Sequence, residues 1–369
     1  MKKLLLVTDL PAGTEESAVD GLFRSRLRDR FTIDVVYCDP ALRRAERRQD
    51  TLVVPRRALR RGLGRELATV VDLHDYSVGI ARNKFYVLRQ LRRALSHARV
   101  GFWETFPHAY RRVAQAKLER RAIWRKRLEY AWRRRREARL LNQADFFLPI
   151  STRHHQAFYP SYTRPVFPLP MGVEDSWIES NPPIKPVPPL RMIYVGTIDA
   201  LRQIPLMNEA FRSTPGEFRL DYYTASRNAS VEAIRACRDP RIRVHPPLPR
   251  AQLRAVMGCA HVGITYIPRG RLYDVSSPTK SVEYCAAGLV LLGNPLPDYE
   301  EWLAPDGAVL TPFTREGIQA GIRQLLGMTS DELARRGRAG LAGARQHRTY
   351  SALAGRLAKF LNQLTSPTP

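Results

Sequence analysis

Apolar runs alternate with amphipathic stretches along most of the chain, and this alternation predicts strands separated by helices. Residues 3–8 and 32–37 are short apolar runs, and an amphipathic stretch over about 18–28 lies between them. A strand, a helix and a second strand in this order are typical of a parallel α/β unit. Further strands are predicted at 67–73 and 100–103. The first part of the chain therefore predicts a doubly wound α/β domain.

The alternation starts again after a proline-rich stretch, which favours an extended linker. A chain of 369 residues is longer than one typical domain, so two domains are expected. The predicted boundaries are a first domain at 1–175, a linker at 176–190, a second domain at 191–348 and a C-terminal helix at 349–369 that crosses back to the first domain. The strands predicted in the second domain cover 191–195, 220–223, 242–244, 262–266 and 290–292.

One stretch in the last third of the chain combines a loop, a short helix, a turn and a buried strand. Ser277 is a suitable N-cap and Pro278 suits the first helical position, so a helix is predicted over 278–287. Gly288 follows where a left-handed residue commonly ends a helix. The apolar run 289–292 is typical of a strand covered on both faces.

The start of this helix has the chemistry to bind phosphate. A helix N-terminus carries free N–H groups and a partial positive charge, and Thr279 and Lys280 add a hydroxyl and an ammonium there. Glu283 lies one turn after Thr279 on the same face, where it can accept hydrogen bonds from a ribose diol. The alternative is a solvated lysine and glutamate on an ordinary αβ unit.

The string Ser277-Pro278-Thr279-Lys280-x-x-Glu283-Tyr284-x-Ala-Ala-Gly288, followed by an apolar strand, resembles the donor-site signature of family-4-type GT-B glycosyltransferases. The resemblance implies an α/β protein of two Rossmann-like doubly wound domains facing across a cleft, with Glu283 on the ribose of a nucleotide-sugar. The family usually has a second Glu eight residues earlier, near the sugar. Val275 stands there with Asp274 beside it, so Asp274 is a candidate catalytic residue, and retention or inversion stays open.

The resemblance also implies a second part of the donor site. Gly196 follows the predicted strand 191–195 and lets the backbone approach a ligand closely. In the family a basic residue near this turn contacts the diphosphate; Arg202 stands at about that place and Lys280 is its partner. Two cations can stabilise a leaving diphosphate without a metal, so we expect neither metal nor cofactor. The predicted donor-binding residues are Gly196, Arg202, Ser277, Thr279, Lys280 and Glu283.

The predicted acceptor side is the first domain. Glu104 and His108 follow the predicted strand 100–103, where ligand clefts of α/β sheets open, and the family often has a histidine or acidic residue there. Both are candidate catalytic residues; the alternative is that Glu104 pairs with an arginine and His108 only ends a turn. His74, after the predicted strand 67–73, and Gly13, after the first strand, are the acceptor-side candidates.

Charge is the unusual feature of the composition. The chain has 60 Lys and Arg against 35 Asp and Glu, a net charge of +25, which implies nucleic acid or an anionic membrane as a partner. An arginine-rich, high-GC genome would give the same excess without a function. The arginines concentrate in 43–65, predicted to be mobile or surface-bound with a short strand at 53–54, and in 111–139. Since basic residues near anionic lipid contribute about 1 kcal/mol each, a membrane surface is favoured, and no specific nucleic-acid motif is present.

Trp124, Leu128 and Trp132 repeat at helical spacing inside the second basic segment. Two alternatives stay open. A basic helix with such a stripe can lie in a bilayer interface. Equally, the tryptophans can form the buried face of a helix packed on the sheet.

Other features limit where the protein acts. No run approaches the roughly 20 apolar residues of a membrane span. The apolar part of the N-terminal stretch is too short for a signal peptide, and the four cysteines are scattered, which fits a reducing cytoplasm. We therefore expect a cytoplasmic protein, peripheral at the inner face of the membrane.

These observations predict a metal-independent glycosyltransferase. It would move a sugar from a nucleotide-sugar to a glycan or lipid-linked acceptor in bacterial surface polysaccharide synthesis. Two alternatives remain: a non-catalytic GT-B-like protein that binds anionic membrane or nucleic acid, and a sugar-nucleotide epimerase of the same fold.

Overall fold

The computed structural model describes residues 1–119, 123–179 and 182–366. Arg120 and Arg121 of the second basic segment, residues 180–181 of the predicted linker and the last three residues of the predicted C-terminal segment lie outside them. Contacts divide the chain into two compact units. The first comprises Met1–Met171, Val275–Ser277 and Tyr350–Pro369, and the second comprises Gly172–Asp274 and Pro278–Thr349.

The first unit is built on a seven-stranded sheet in the order β3-β4-β2-β1-β5-β6-β7. All strand pairs are parallel except β3 with β4. Runs such as Leu4–Val7 are fully buried because apolar layers cover both faces of the sheet. The strands are β1 Lys3–Pro11, β2 Thr32–Asp39, β3 Glu46–Arg48, β4 Thr51–Pro55, β5 Tyr76–Arg82, β6 Arg99–Glu104 and β7 Phe146–Pro149.

One prediction for the first unit is wrong and another holds in part. The segment 43–65, predicted to be mobile or surface-bound with a short strand at 53–54, supplies β3 and also β4, which contains the predicted strand, and Arg47 pairs there with the buried Asp34 at 3.3 Å. The strand predicted at 67–73 does not form: a helix ends at Leu67 and a 3₁₀ turn precedes β5. His74 therefore lies before a strand rather than after one.

Helices flank this sheet, and one of them, α4 Ile123–Leu141, exposes large apolar side chains on its surface. Trp124, Leu128 and Trp132 of α4 are 67%, 64% and 66% exposed, so the alternative that they form a buried face is wrong. The helical segments up to residue 171 are the π-helical turn Ala18–Ser25, the 3₁₀ turns Arg26–Asp29 and Leu73–Asp75, and α1 Leu63–Leu67, α2 Phe85–Ala94, α3 His108–Leu118, α4 Ile123–Leu141 and α5 Thr152–Phe158.

The second unit contains a six-stranded, all-parallel sheet in the order β10-β9-β8-β11-β12-β13. Chain order reverses between β8 and β11, and such switch points open ligand sites at the carboxyl ends of the strands. The strands are β8 Leu190–Val195, β9 Phe218–Tyr223, β10 Ile242–His245, β11 Val262–Thr265, β12 Val290–Gly293 and β13 Ala308–Leu310.

Helices and short 3₁₀ turns connect these strands. The helices are α6 Ile204–Arg212, α7 Ala229–Ala236, α8 Arg250–Gly258, α9 Thr279–Ala286, α10 Arg315–Leu326 and α11 Ser330–His347; the 3₁₀ turns are Asp175–Trp177, Ala200–Arg202, Tyr299–Glu301 and Pro305–Gly307.

The C-terminal helix α12, Tyr350–Thr365, belongs to the first unit. Its residues Leu353, Leu357 and Leu361 are buried against the segment that follows β1. Across the described residues, every helix is too short or too polar to cross a bilayer.

Candidate functional site

Helix α9 carries the phosphate-binding motif predicted from the sequence. It begins at Thr279 with Pro278 at the N-cap, one residue later than predicted. Ser277 is not the N-cap: its buried hydroxyl accepts a hydrogen bond from the Met171 N–H at 3.3 Å, and its contacts place it with the first unit. The end of the helix is as predicted, since Gly288 has a left-handed φ of 72°.

Buried hydroxyl groups hold α9 on the sheet of the second unit. The hydroxyls of Ser281, Thr265 and Tyr299 form a triangle with sides of 2.9–3.0 Å. One turn after Lys280, the Tyr284 hydroxyl accepts a hydrogen bond from the Val195 N–H at 2.7 Å. Val195 ends β8, so this bond fixes α9, one turn after Lys280, against the carboxyl edge of the sheet.

Lys280 consequently lies beside the turn that follows β8. Its Nζ is 3.8 Å from the centre of the Tyr194 ring, and a Cβ on Gly196 would be 3.4 Å from that nitrogen. Gly196 has a φ of 129°, which a side chain would strain. Burial, and next the nearby Arg202, lower the pKa of Lys280 to about 7. The Lys280 ammonium therefore has too little negative charge nearby to stabilise it. A bound diphosphate would supply that negative charge.

Arg202 lies in the same corner of the second unit and is held by Asp199. Asp199 caps the short 3₁₀ turn by accepting from the Arg202 N–H at 3.0 Å, and its carboxylate also pairs with the guanidinium. Thr279 is the first residue of α9. The structure thus brings Gly196, Arg202, Thr279 and Lys280 to one edge of the sheet.

Glu283 is buried and held by an arginine that the sequence analysis did not identify. Arg250, the first residue of α8, places one guanidinium nitrogen 3.4 Å from Glu283 and another 3.4 Å from Glu174, and it stacks on Trp177 at 4.5 Å. Burial raises the pKa of Glu283 to about 7, and Arg250 opposes this rise. Arg250 therefore keeps part of the Glu283 population ionised and able to accept hydrogen bonds from a diol.

We expect Arg250→Met to weaken nucleoside diphosphate binding by about tenfold at pH 7, because loss of a charged hydrogen-bond partner raises the pKa of Glu283 further. Raising the pH to 9 should reduce the difference in affinity between this variant and the wild type, because Glu283 then ionises in both. Titration calorimetry between pH 6.5 and 9 measures both effects. Arg254→Met, one turn later on α8, is the matched control. Wild-type affinity of Arg250→Met at every pH would contradict this role.

A cavity of about 350 Å³ opens at the carboxyl ends of β8 and β9. Next to it, the rings of Tyr223 and His245 stack at 4.7 Å, and His245 Nε2 is 2.6 Å from the Asp221 carboxylate. The cavity has the dimensions and the mixed lining of a site for a planar base. Its lining residues are Val195, Gly196, Thr197, Tyr223, Thr224, Ala225, Ser226, Pro247, Leu248 and Leu253.

Asp274 lies on the loop before the signature and is engaged by Arg269. The Arg269 Nε donates to the Asp274 carboxylate at 2.6 Å, and the same guanidinium donates to the Pro295 carbonyl at 3.1 Å. A catalytic role for Asp274 requires this ion pair to open, and that role stays a prediction.

The first unit contains its own cavity, of about 450 Å³, at the carboxyl edge of its sheet. We call it the cationic pocket, because five basic side chains line it against two acidic ones. Glu104 and His108, the two catalytic candidates, both line it. The charged lining residues are Arg60, Lys84, Arg89, Arg133 and Arg136 with Glu104 and Glu137.

Glu104 is the most perturbed carboxyl group in this pocket. Burial, reinforced by Glu137, raises its pKa to about 8, although a hydrogen bond with Tyr159 opposes the rise. Its Oε2 lies 3.5 Å from Nε2 of the buried His154, whose pKa burial lowers to about 3. Burial therefore favours the neutral form of both groups over an ion pair. Among the described residues, neither Glu104 Oε2 nor the His154 ring nitrogens have a hydrogen-bond partner.

The other candidates of the first unit, His108, Gly13 and His74, do not all lie at the same edge of its sheet. His108 begins α3 on the pocket wall, where desolvation and the cations Lys84 and Arg111 lower its pKa. Gly13 adopts a left-handed φ of 81° in the turn after β1, at the same edge of the sheet as Glu104. His74 does not join them: it lies at the amino edge, with its ring stacked on His97 at 5.0 Å. Its predicted acceptor-side position is wrong because β5 starts after it.

Within residues 1–119, 123–179 and 182–366, no three His, Cys, Asp or Glu side chains converge as metal ligands. The metal-independent reaction stays a prediction. Arg250, Tyr194 and His154 are the residues that the sequence analysis missed. Only Arg250 has a local signal, since it opens a helix directly after a strand and a proline turn.

Solved structures resemble the whole chain. Sucrose-phosphate synthase from Thermosynechococcus elongatus is 14% identical, with 98% of this chain and 99% of that chain covered and a TM-score of 0.70. The UDP-forming α,α-trehalose-phosphate synthase from Burkholderia vietnamiensis is 13% identical, with 99% of each chain covered and a TM-score of 0.71. The corresponding enzyme from Burkholderia xenovorans, in complex with glucose-6-phosphate, is 14% identical over 97% of this chain and 100% of that chain, at 0.65.

No protein-family model and no curated protein sequence matches the chain. At these identities the structural likeness shows the fold, which the string at 277–288 predicted. The chain has the GT-B glycosyltransferase fold.

Proposed function

We propose that this protein is a glycosyltransferase that moves a sugar from a nucleotide-sugar to a phosphate-bearing carbohydrate acceptor. One observation carries the proposal. Tyr284 holds α9 so that the Lys280 ammonium lies beside Gly196, which lines the cavity of the second unit. A cavity large enough for a base thus adjoins a glycine turn that a ligand can approach closely and an ammonium that lacks nearby negative charge. A nucleoside diphosphate requires these three features together.

The donor is bound by the second unit. The cavity takes the base, and Glu283, kept partly ionised by Arg250, accepts from the ribose hydroxyls. Lys280 and Arg202 bind the diphosphate and stabilise the negative charge that develops on it as the sugar leaves. This arrangement supplies the electrostatic role of a metal ion with fixed side chains.

The acceptor is bound in the cationic pocket, which has three more basic than acidic side chains. This excess favours a phosphate group on the acceptor, and arginine is well suited to bind it. Two sources share this chemistry: a free sugar phosphate, and the diphosphate of a lipid-linked glycan in surface polysaccharide synthesis at the inner face of the membrane. The Burkholderia xenovorans structure contains glucose-6-phosphate, a free sugar phosphate.

The first test is thermal unfolding with a panel of nucleoside diphosphates and nucleotide-sugars. A ligand at 100 times its Kd adds about 2.7 kcal/mol of stability, which raises the unfolding temperature by several degrees. Lys280→Met, with the same panel, should lose most of the shift. Stabilisation by any polyanion, abolished by salt, would instead indicate a non-catalytic anion-binding protein.

Transfer is then measured with the stabilising donor and two acceptor arms, a set of free sugar phosphates and a set of lipid-linked diphosphate glycans. Product analysis by mass spectrometry should show a new glycosidic bond in one arm. A product in neither arm, with epimerised donor in both, would overturn transfer in favour of an epimerase.

A further inference from the structure

We propose that the outer face of helix α4 docks the protein onto an anionic phospholipid surface. The docking face comprises the exposed residues Trp124, Leu128, Ala131, Trp132, Arg135 and Arg139. This inference does not depend on the transfer chemistry. It assigns membrane binding to one helix and leaves out the basic segment 43–65, which forms sheet and turns.

Helix α4 turns a largely polar face towards the first unit and a row of large apolar side chains away from it. The face towards the first unit carries Tyr130, Arg134, Glu137 and Leu141. Tyr130 packs edge-on against Tyr110 at 5.4 Å, and the Arg134 guanidinium stacks on Tyr159 at 4.4 Å. This inner face is largely polar, and its Glu137 lines the cationic pocket together with Glu104. Leu141 at the end of the helix is buried, whereas Trp124, Leu128 and Trp132 point outwards.

Three large apolar side chains on one helix face are unusual on a free surface. Trp124, Leu128 and Trp132 are each about two-thirds exposed and lie on successive turns. The other large apolar side chains exposed among the described residues are Met1, Leu118, Ile184 and Leu310. A contiguous exposed apolar patch marks a surface that binds something, and tryptophan is the side chain preferred at the level of lipid headgroups.

The charges around the docking face indicate which occupant it takes. Arg125, Arg127, Arg135, Arg136 and Arg139 are exposed along α4, whereas Glu129 is the single exposed acidic residue of the helix as described, and Lys126 pairs with it at 2.7 Å. An anionic bilayer offers negative charge on both sides of an apolar interface, as this pattern requires. A second copy would instead bring the same arginines face to face, which is repulsive.

Docking through α4 would also determine where the cationic pocket lies relative to the membrane surface. Trp132 belongs to the docking face and lines the pocket, and Arg133 and Arg136 line the pocket from the same helix. A docked α4 would hold the pocket beside the headgroups, where a lipid-linked acceptor presents its phosphate. This consequence, unlike docking itself, rests on the proposed function.

The test is co-sedimentation with vesicles of phosphatidylcholine alone and of phosphatidylcholine containing phosphatidylglycerol. Wild-type protein should bind the anionic vesicles, and Trp124→Ser with Leu128→Ser should lower the partition coefficient by about tenfold or more. The matched control is Ile184→Ser with Leu310→Ser, which removes two exposed apolar side chains from the second unit. Arg125→Gln with Arg127→Gln should weaken binding, whereas Arg219→Gln with Arg323→Gln should not.

Tryptophan fluorescence gives a second measurement that reports the helix directly. The chain has five tryptophans, and Trp103, Trp177 and Trp302 are buried. Anionic vesicles should therefore shift the emission of Trp124 and Trp132 to the blue and shield it from an aqueous quencher. Trp124→Phe should reduce the change.

Several results would overturn docking. They are wild-type binding by the Trp124→Ser, Leu128→Ser variant, equal binding to neutral and anionic vesicles, or a wild-type dimer that this variant dissociates and that ignores vesicles. Unchanged thermal unfolding of the variant shows that it folds. Its transfer to a soluble acceptor should stay at the wild-type rate, which separates failure of docking from failure of the proposed function.

Discussion

Lys280→Ala is expected to lower the rate of sugar transfer by about 10²-fold or more, because the Lys280 ammonium is the proposed partner of the charge that develops on the leaving diphosphate. Nucleoside diphosphate affinity should fall as well, since the ground state already carries part of that charge. Steady-state kinetics with the donor identified by thermal shift, together with titration calorimetry, measure the two losses separately.

The pH dependence has a definite sign. Burial and Arg202 lower the pKa of Lys280 to about 7, so the amine loses its charge as the pH rises through 7. Wild-type affinity for a nucleoside diphosphate should therefore decline from pH 7 to pH 9, and binding in this range should take up a proton as the diphosphate restores the ammonium. Lys280→Met should show neither effect.

The contribution of Lys280 to stability should change with pH in the opposite direction to nucleoside diphosphate affinity. Between pH 7 and the ordinary lysine range, Lys280 binds a proton in the unfolded chain that it does not bind in the folded chain, so the contribution of Lys280 to stability rises with pH there. Lys280→Met removes the buried charge, and its stability advantage should be largest at or below pH 7. Lys359→Ala on the exposed side of α12 is the control. Near wild-type transfer by Lys280→Ala would rule out the diphosphate role.

Most of the second unit was predictable because its local and global signals agree. The helix around Lys280 has a proline before it, a left-handed glycine after it and a buried apolar strand beyond, and each feature favours the same structure. The shift from Ser277 to Pro278 at the N-cap has a tertiary cause, since the Ser277 hydroxyl accepts from Met171 instead of the helix.

The first unit was less predictable because apolar patterning was misleading in two places. The apolar content of 67–73 suggested a strand, yet these residues end a short helix and turn before β5. In α4, the apolar stripe points outwards and the polar stripe inwards, since the inner face closes a charged pocket. A periodicity identifies the two faces of a helix but does not state which face the pocket requires.

Partnerships between distant residues were beyond sequence reasoning. Arg250 contacts Glu283 and Glu174, and His154 approaches Glu104, and each pair is brought together only by the sheets. Lys280, Glu283 and Glu104 share one physical feature: each has a buried ionisable group whose neutral form the surrounding protein favours. Such clusters at strand ends are typical of functional sites, and they reduce stability.

Glu104→Gln is expected to separate most clearly the role of a buried ionisable group in catalysis from its effect on stability. If the Glu104 carboxylate takes the proton of the acceptor hydroxyl, the amide should lower kcat by about 10²-fold or more, since general bases contribute 10²–10⁴-fold. Ionisation of Glu104 should raise wild-type kcat as the pH rises towards about 8, against the loss of the Lys280 charge, and the variant should lack this contribution.

The same substitution should stabilise the protein at high pH. The unfolded Glu104 carboxyl group ionises near pH 4.5 and the folded one near pH 8, so folding retains a proton across that window and the contribution of Glu104 to stability falls, by about a few kcal/mol, as the pH rises through it. Glutamine has no proton to lose. The unfolding temperature of Glu104→Gln should therefore exceed that of the wild type by a margin that grows from pH 5 to pH 9. Glu119→Gln, an exposed change directly after α3, should alter neither property. A variant with wild-type kcat and the stability gain would show that Glu104 only shapes the pocket.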